Sequence, residues 1–274
     1  KARGEALGLM PPLFGEVSPD AVAYQCVLAG CRPAELPVVL AAAEATLEPG
    51  FNLLGIATTT GTACVALCLH GPIARKLGVN AGTNCLGPGN RANASIGRAL
   101  QLVIRNIGGA RSDVGDMATM GQPGKYTFCF AERNDGPFPT LTARRGLGSD
   151  ASALTVMGVS GTAEILPGDG EGATPEAILS PIATAMRAAI VMSGVGRKNE
   201  RGEQVVLLPL EMAEKIVRHD AWDLARVQRH LFDEGQGVAR APDAINVIVT
   251  GGAGYKMSYL PIWGGGSETV TRPL

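Results

Sequence analysis

The chain has 274 residues, enough for one large domain or two small ones. Hydrophobic residues make up 46% and charged residues 18%, so a sizeable core is available. A formal net charge of −1 and 4% aromatic residues offer neither the basic stripe nor the stacking platforms that nucleic-acid binding needs. No apolar run reaches the ~18 residues of a membrane span. The best stretch, 182–192, is broken by Arg187.

No signal-peptide pattern opens the sequence, and six cysteines are too sparse for a disulfide scaffold, so the expectation is a cytoplasmic protein with reduced thiols. The first residue is Lys1 rather than methionine, which suggests a fragment or a processed product. Low charge with 37 glycines suggests surface buried in loops or against other subunits, and hence an oligomer.

In chain order, residues 1–17 read as an irregular arm. Ser18 and Pro19 are a cap and a first helical position, predicting a helix to about Gly30. An alanine-rich helix is expected over 34–47, then strands over 51–57 and 63–69 around a threonine-rich turn. A short helix at 72–77 leads to a long one at 90–107, where Ile96, Leu100, Val103 and Ile107 share one face and Asn90 is the natural cap. After a loop at 113–125, strands are predicted over 126–131, 138–145 and 153–159. A surface loop at 166–174 precedes a helix to about 193 and a charged turn at 194–202. A strand at 205–208, helices at 210–219 and 222–232, and strands at 244–250 and 257–263 complete the chain.

This alternation predicts an α/β fold, a single domain over 1–274 built from two or three αβ units. Segments 51–71, 138–161 and 245–265 look alike, each a strand, a Gly/Ser/Thr-rich turn, a second strand and a closing glycine. A second echo sets VALCLHGPIARKL (65–77) beside VVLLPLEMAEKI (205–216). If these reflect duplication, the units surround a pseudo-symmetry axis and their glycine-rich turns face one central cleft. Chance similarity between αβ units is the plainer reading.

The stretch 79–110 concentrates the unusual features. It holds a cysteine in a tight loop (Asn84-Cys85-Leu86), a Gly87-Pro88-Gly89 turn, a helix start at Asn90 and Arg91, and a Gly108-Gly109 stop. Cys85 is the candidate nucleophile, because a helix N-terminus and Arg91 would lower its pKa. Alternatively Cys31, Cys64 and Cys85, one from each unit, converge to hold a metal or an iron–sulfur cluster. Cys26, Cys68 and Cys129 read as small buried hydrophobes. Cys64 and Cys68, four apart, fall on one face of a strand.

Gly89, Asn90 and Arg91 form a candidate anion site of free N–H groups and a guanidinium. A second candidate is the turn carrying Gly252, Gly254 and Ser258, with Lys256 beside it. Glu132 and Lys125, at the two ends of one strand, are candidate proton carriers, and His70 lies at a strand end where it could face a cleft. No Walker loop, GxGxxG, GxSxG or HExxH pattern is present.

At AGCRPAELPVVLAAAEA (29–45), NCLGPGNRANASIGRA (84–99), GQPGKYTFCFAE (121–132) and VIVTGGAGYKMS (247–258), the chain resembles a group of uncharacterised bacterial proteins. Members are encoded beside, or fused to, small proteins with a selenocysteine- or cysteine-Gly-Ser-Cys motif. The resemblance covers most of the chain, from about Ala21 to its end. It implies a small partner that supplies a redox-active or nucleophilic chalcogen, with this chain supplying the substrate pocket. The chain departs from the pattern at Tyr255-Lys256-Met257, where a Lys-His-Ser order is expected, and it lacks the Gly-Ser-Cys motif itself. The functional expectation is a small-molecule enzyme or enzyme subunit, lyase- or hydratase-like, with a cysteine-centred site for an anionic organic substrate. A thiol-dependent redox subunit and a non-catalytic ligand-binding subunit are the alternatives.

Overall fold

The computed structural model describes residues 5–169, 173–192 and 202–274. The amino-terminal segment, expected to be irregular, is a hairpin of β1 (Gly8–Met10) and β2 (Gly15–Val17). Ser18 accepts from the Ala21 N–H at 3.2 Å and starts α1 (Pro19–Leu28), as its cap chemistry predicts. After α2 (Leu36–Thr46) comes the first correction: residues 51–57 are not a strand. Asn52 sits at φ 54° and accepts from the Gly55 N–H at 3.2 Å, opening α3 (Leu53–Thr58). A short apolar run has no period that separates a buried strand from a buried helical turn, and here the cap decides.

β3 (Cys64–His70) and α4 (Pro72–Leu77) follow. Asn90 caps α5 (Arg91–Leu102), which widens into a π turn over Val103–Ile107 before β4 (Cys129–Ala131). The strand expected at 138–145 is also helical: Thr140 caps the single turn α6 (Leu141–Arg144), accepting from the Ala143 N–H at 3.3 Å. Then come β5 (Ala153–Val159), β6 (Ala163–Ile165), α7 (Pro175–Met192), β7 (Gln204–Leu208) and α8 (Leu210–Val217). α9 (Leu224–Gly235), β8 (Ile245–Val249), β9 (Met257–Leu260) and β10 (Val270–Pro273) complete the chain. The loop expected at 166–174 lies partly, and the turn at 194–202 almost wholly, outside the described residues.

The fold is mixed α/β. Its two four-stranded sheets have the same plan, β10-β5-β3-β4 and β6-β9-β7-β8. In each, two parallel strands joined through helices (β3 and β4, β7 and β8) are followed by an antiparallel strand (β5, β9). The fourth strand is exchanged. β6 leaves the first sheet to pair with β9, and β10 returns from the second to pair with β5. The crossing point is a Val159–Ile262 bridge, flanked by Ser160 N–H to Pro261 O and Trp263 N–H to Gly158 O, both 2.8 Å. Those two bonds are mirror partners under the exchange, which puts the bridge on a pseudo-twofold axis. The three look-alike segments are therefore not three equal units. The first two are each a short helix and a strand (α3–β3, α6–β5), and only 245–265 has two strands.

Side chains alternate across each strand and so define four layers. Val65, Leu67 and Leu69 of β3 pack outward with Val22, Val39, Ile96 and Leu100 of α1, α2 and α5. Val206, Leu208 and Tyr259 pack outward with Ile178, Met212 and Val227 of α7, α8 and α9. Between the sheets, Cys64, Ala66, Cys68, Phe130 and Met157 meet Val205, Leu207, Ile248 and Leu260. Each sheet thus has helices on one face and the other sheet on the other, which is why β3 and β7 are buried along their whole length. No described helix is long and apolar enough to cross a membrane.

Candidate functional site

The loop around Cys85 is wired by asparagines. Asn80 Oδ1 accepts from the Gly82 N–H at 2.7 Å, Asn84 Nδ2 donates to Pro88 O at 2.9 Å, and Asn93 Nδ2 donates to Cys85 O at 3.1 Å. The glycine turn after β8 does reach this loop. The Gly251 N–H donates to Ala81 O at 2.9 Å, and a Cβ on Gly252 would stand 2.3 Å from Thr83 Oγ1, so only glycine allows the approach. The other members of that turn are occupied elsewhere. The Gly254 N–H donates to Glu211 Oε2 at 2.7 Å, Lys256 pairs with Glu164 at 3.2 Å, and Ser258 lies opposite Glu164 in the β6–β9 ladder.

Cys85 itself points inward, 6% exposed, with its Sγ 3.6 Å from Thr250 Oγ1. Burial pushes its thiol above the ordinary value, against the Thr250 hydrogen bond, which works to lower it. The expected depression by Arg91 is absent because Arg91 turns away. Its guanidinium forks onto both oxygens of the buried Glu35 and reaches Gly30 O at 3.2 Å. At the start of α5 the anion is thus Glu35, a residue of the chain. Burial works to raise the Glu35 pKa but is outweighed by hydrogen bonds from Arg91 and the Arg32 N–H, which hold it below the usual range. Gly89, at φ 102°, and Asn90 shape the turn and cap the helix.

Cys31, Cys64 and Cys85 do not converge. Cys31 packs with the outer core and donates to Ser95 O at 3.3 Å, whereas Cys64 and Cys85 belong to the layer between the sheets. Among the described residues no group of three or more His, Cys, Asp or Glu side chains could hold a metal ion. Cys64 and Cys68 do share one face of β3, as their spacing predicts. Cys31 lies instead beside Cys26, whose carbonyl accepts from the Cys31 N–H at 2.9 Å; the neighbouring Cys31 side chain holds the Cys26 thiol below its ordinary value, while Cys31 is pushed up by Cys26 and by burial.

Glu132 joins His70 across 62 positions of the chain. Its Oε2 lies 2.7 Å from His70 Nδ1, and His70 Nε2 lies 2.8 Å from Thr155 Oγ1, which in turn is 2.8 Å from Thr271 Oγ1. The order is hydroxyl, imidazole, carboxylate, the order of a proton relay. Yet Thr155 and His70 are 0% and 1% exposed, and both carboxylate oxygens already accept from the Leu141 N–H at 3.0 and 3.1 Å. The group is sealed and its bonds tie β3, β4, β5, β10 and α6 together.

Lys125 and Cys64 meet at an open cavity of about 570 Å³ at the start of β3. Lys125 Nζ lies 2.7 Å from each oxygen of Asp116. Cys64 forms part of the wall, under the Pro123-Gly124-Lys125 turn, where a Cβ on Gly124 would stand 2.7 Å from its Sγ. Burial pushes the Cys64 thiol up to about 12, with the Lys125 ammonium acting weakly the other way. Gln122 fastens the turn by donating to Thr62 O at 2.7 Å. Arg98 and Arg105 line the cavity too, so its charged side chains are three cations and one carboxylate.

Arg98, Arg105 and Asp116 escaped sequence reasoning. Asp116 sits in a loop without a motif, and the two arginines lie on α5 and its π turn without a pattern that singles them out. Only the Gly-Gln-Pro-Gly-Lys turn (121–125) gave a hint, through the resemblance it helps to carry. No protein-family model and no curated protein matches the chain.

Proposed function

We propose that the protein is a small-molecule enzyme of the lyase or hydratase type, acting on a small organic acid in the cavity beside Cys64. The observation that carries this is the excess of cations around one thiol and one carboxylate in a cavity of about 570 Å³, a size suited to a small ligand. Arg98 and Arg105 supply the planar forks that hold a carboxylate. A thiol whose pKa stands at about 12 is a proton donor rather than a standing thiolate. In hydration of an unsaturated acid, Asp116 takes a proton from water and the hydroxide bonds to the β-carbon. The Cys64 Sγ–H protonates the α-carbon, Lys125 stabilises the negative charge that develops on the substrate carboxylate, and the proton on Asp116 returns to sulfur through water.

The test is proton NMR of a series of unsaturated mono- and dicarboxylates incubated with the full chain in D₂O, with calorimetry on the same acids. The expected result is loss of vinyl signal from at least one acid, slowed about 100-fold or more in Cys64→Ala, with a raised KM in Arg105→Gln. Absence of both turnover and calorimetric binding across the series overturns the reading.

A second reading, thiol-dependent redox chemistry with a small chalcogen-bearing partner, is favoured by one observation, the adjacency of Cys26 and Cys31, joined by the Cys31 N–H to Cys26 O bond of 2.9 Å. There the two thiols would give two electrons and two protons to a disulfide on the partner and become a disulfide themselves.

A further inference from the structure

The pseudo-twofold axis generates a second cavity, and the two differ in the anions that the chain places in them. Cys64 pairs with Val159 across β3–β5. The β7–β9 register pairs Val205 with Leu260, and one inward-facing step further sets Glu203 opposite Ile262. Val159 and Ile262 are the two halves of the central bridge, so Glu203 occupies the position equivalent to Cys64. Each of the two residues lines a cavity, Cys64 that of about 570 Å³ and Glu203 one of about 560 Å³.

In the second cavity the chain supplies an anion for its own arginines. Glu203, 1% exposed, pairs with Arg240 at 2.8 Å and lies 3.9 Å from Arg145 Nη2. It also accepts from Asn246 Nδ2 at 3.1 Å and from the Thr269 hydroxyl at 2.6 Å. In the first cavity the equivalent position holds a thiol instead. The one carboxylate of that lining, Asp116, is taken by Lys125, whose Nζ lies 2.7 Å from each of its oxygens. Arg98 and Arg105 are left over. Arg98 Nη1 reaches Tyr126 O at a long 3.5 Å, and the exposed Arg105 has no hydrogen-bond or ion-pair partner among the described residues. Two guanidiniums without an anion leave two positive charges for a ligand to match.

Their placement says how such a ligand lies. Positions 98 and 105 stand on α5 and its π turn, about 10 Å apart along the axis at roughly 1.5 Å per residue. Gln101 and Ile104, between them, line the same cavity, so one face of the helix carries the whole row. Gln101 Nε2 donates to Val65 O at 3.0 Å and pins the middle of that row to β3, one residue from Cys64. A guanidinium thus stands toward each end and the thiol-bearing residue is level with the middle. A ligand spanning the row offers its central carbons, rather than its ends, to the sulfur.

We infer that the substrate of the first cavity is a dicarboxylate with its double bond between the two carboxylates, one carboxylate held by Arg98 and the other by Arg105. This rests on the hydration proposed for that cavity and names its substrate class. Water adds across the central bond, the hydroxyl going to one carbon and the Cys64 proton to its neighbour. The second proton of the water returns to sulfur by way of Asp116, and the product is a hydroxy-dicarboxylate. A monocarboxylate leaves one guanidinium unmatched, and a compact dianion has to draw both side chains together.

Isothermal titration calorimetry, with proton NMR in D₂O, tests this on the full chain. The probes are fumarate, trans-glutaconate and trans,trans-muconate, each beside the monoacid in which a methyl group replaces one carboxylate, and inorganic phosphate. At least one dicarboxylate is expected to bind about tenfold or more tighter than its monoacid and than phosphate, and to lose its vinyl signal faster than the monoacid does. Added salt is expected to weaken the dicarboxylate more than the monoacid. Arg105→Gln, an exposed change, is expected to bring the dicarboxylate to within about threefold of its monoacid, and Arg98→Gln to do the same. Dicarboxylates that bind and react no better than their monoacids, or a preference that survives both substitutions, overturn the inference and leave the hydration reading standing. Absence of binding and turnover across the whole series overturns both.

Discussion

A buried thiol that is a proton donor should be nearly inert toward alkylation, and Cys64 makes that quantitative. Its ordinary value of 9.0 is pushed up to about 12 by burial. At pH 8 a free thiol at the ordinary value is about one-tenth thiolate, whereas one at 12 is about one part in ten thousand, a ratio of roughly 1,000. The perturbation is iodoacetamide at pH 8, and the assay is mass-spectrometric mapping of each cysteine with time, against N-acetylcysteine in the same tube. Cys64 is expected to react about 1,000-fold more slowly than the free thiol. The same shift has a sign in stability. The folded state keeps the proton longer than the unfolded state, so the contribution is complete below about pH 9 and is lost as pH rises toward about 12, at roughly 1.4 kcal/mol per pH unit. Alkylation of Cys64 within tenfold of the free thiol refutes the reasoning and removes the acid from the proposed hydration.

Two further predictions concern the framework. Glu132→Gln keeps the volume of the side chain but turns one acceptor into a donor facing either His70 Nδ1 or the Leu141 N–H. The expected loss is about 1–3 kcal/mol, read as a lower urea midpoint at unchanged slope; an unchanged midpoint means the His70 network contributes nothing. Deleting residues 270–274 removes β10, exposes the edge of β5, and takes away Thr271, the last hydroxyl of the His70–Thr155 chain. Because the sheets exchange strands, calorimetry of the intact chain is expected to give one transition and the truncated chain one at lower temperature. Two separate transitions in the intact chain would mean that the exchange does not couple the halves.

Local chemistry was legible in the sequence wherever a side chain acts on its own neighbours. Ser18 and Asn90 cap the helices they were expected to cap, and the apolar face of α5, through Ile96 and Leu100, is the face that is buried. The period-two placement of Cys64 and Cys68 held for the same reason. What failed was decided at a distance. Residues 51–57 and 138–145 are apolar enough for strands, and their helical turns are set by Asn52 and Thr140, caps that look like ordinary polar loop residues. Arg91 was placed beside Cys85 by its spacing, but Glu35, 56 positions away, competes for it and wins through a buried two-pronged ion pair.

The strand exchange explains why both cavities were invisible in the sequence and why they differ. The first is assembled from α3, β3, α5 and the 110–126 loop, and the second from α6, α9 and the starts of β7 and β8, so no continuous motif spells out either one. At the equivalent positions, a cysteine in one and a glutamate in the other, the same backbone poses opposite electrostatic problems. Cys64 meets burial by staying protonated under a lysine, and Glu203 meets it by gathering Arg240, Asn246 and Thr269. A thiol leaves the first wall able to give up a proton. A carboxylate already saturated with donors leaves the second wall unable to do so. At equivalent positions of a common frame, one cavity thus has a protonated thiol in its wall and the other a carboxylate paired with Arg240, Asn246 and Thr269.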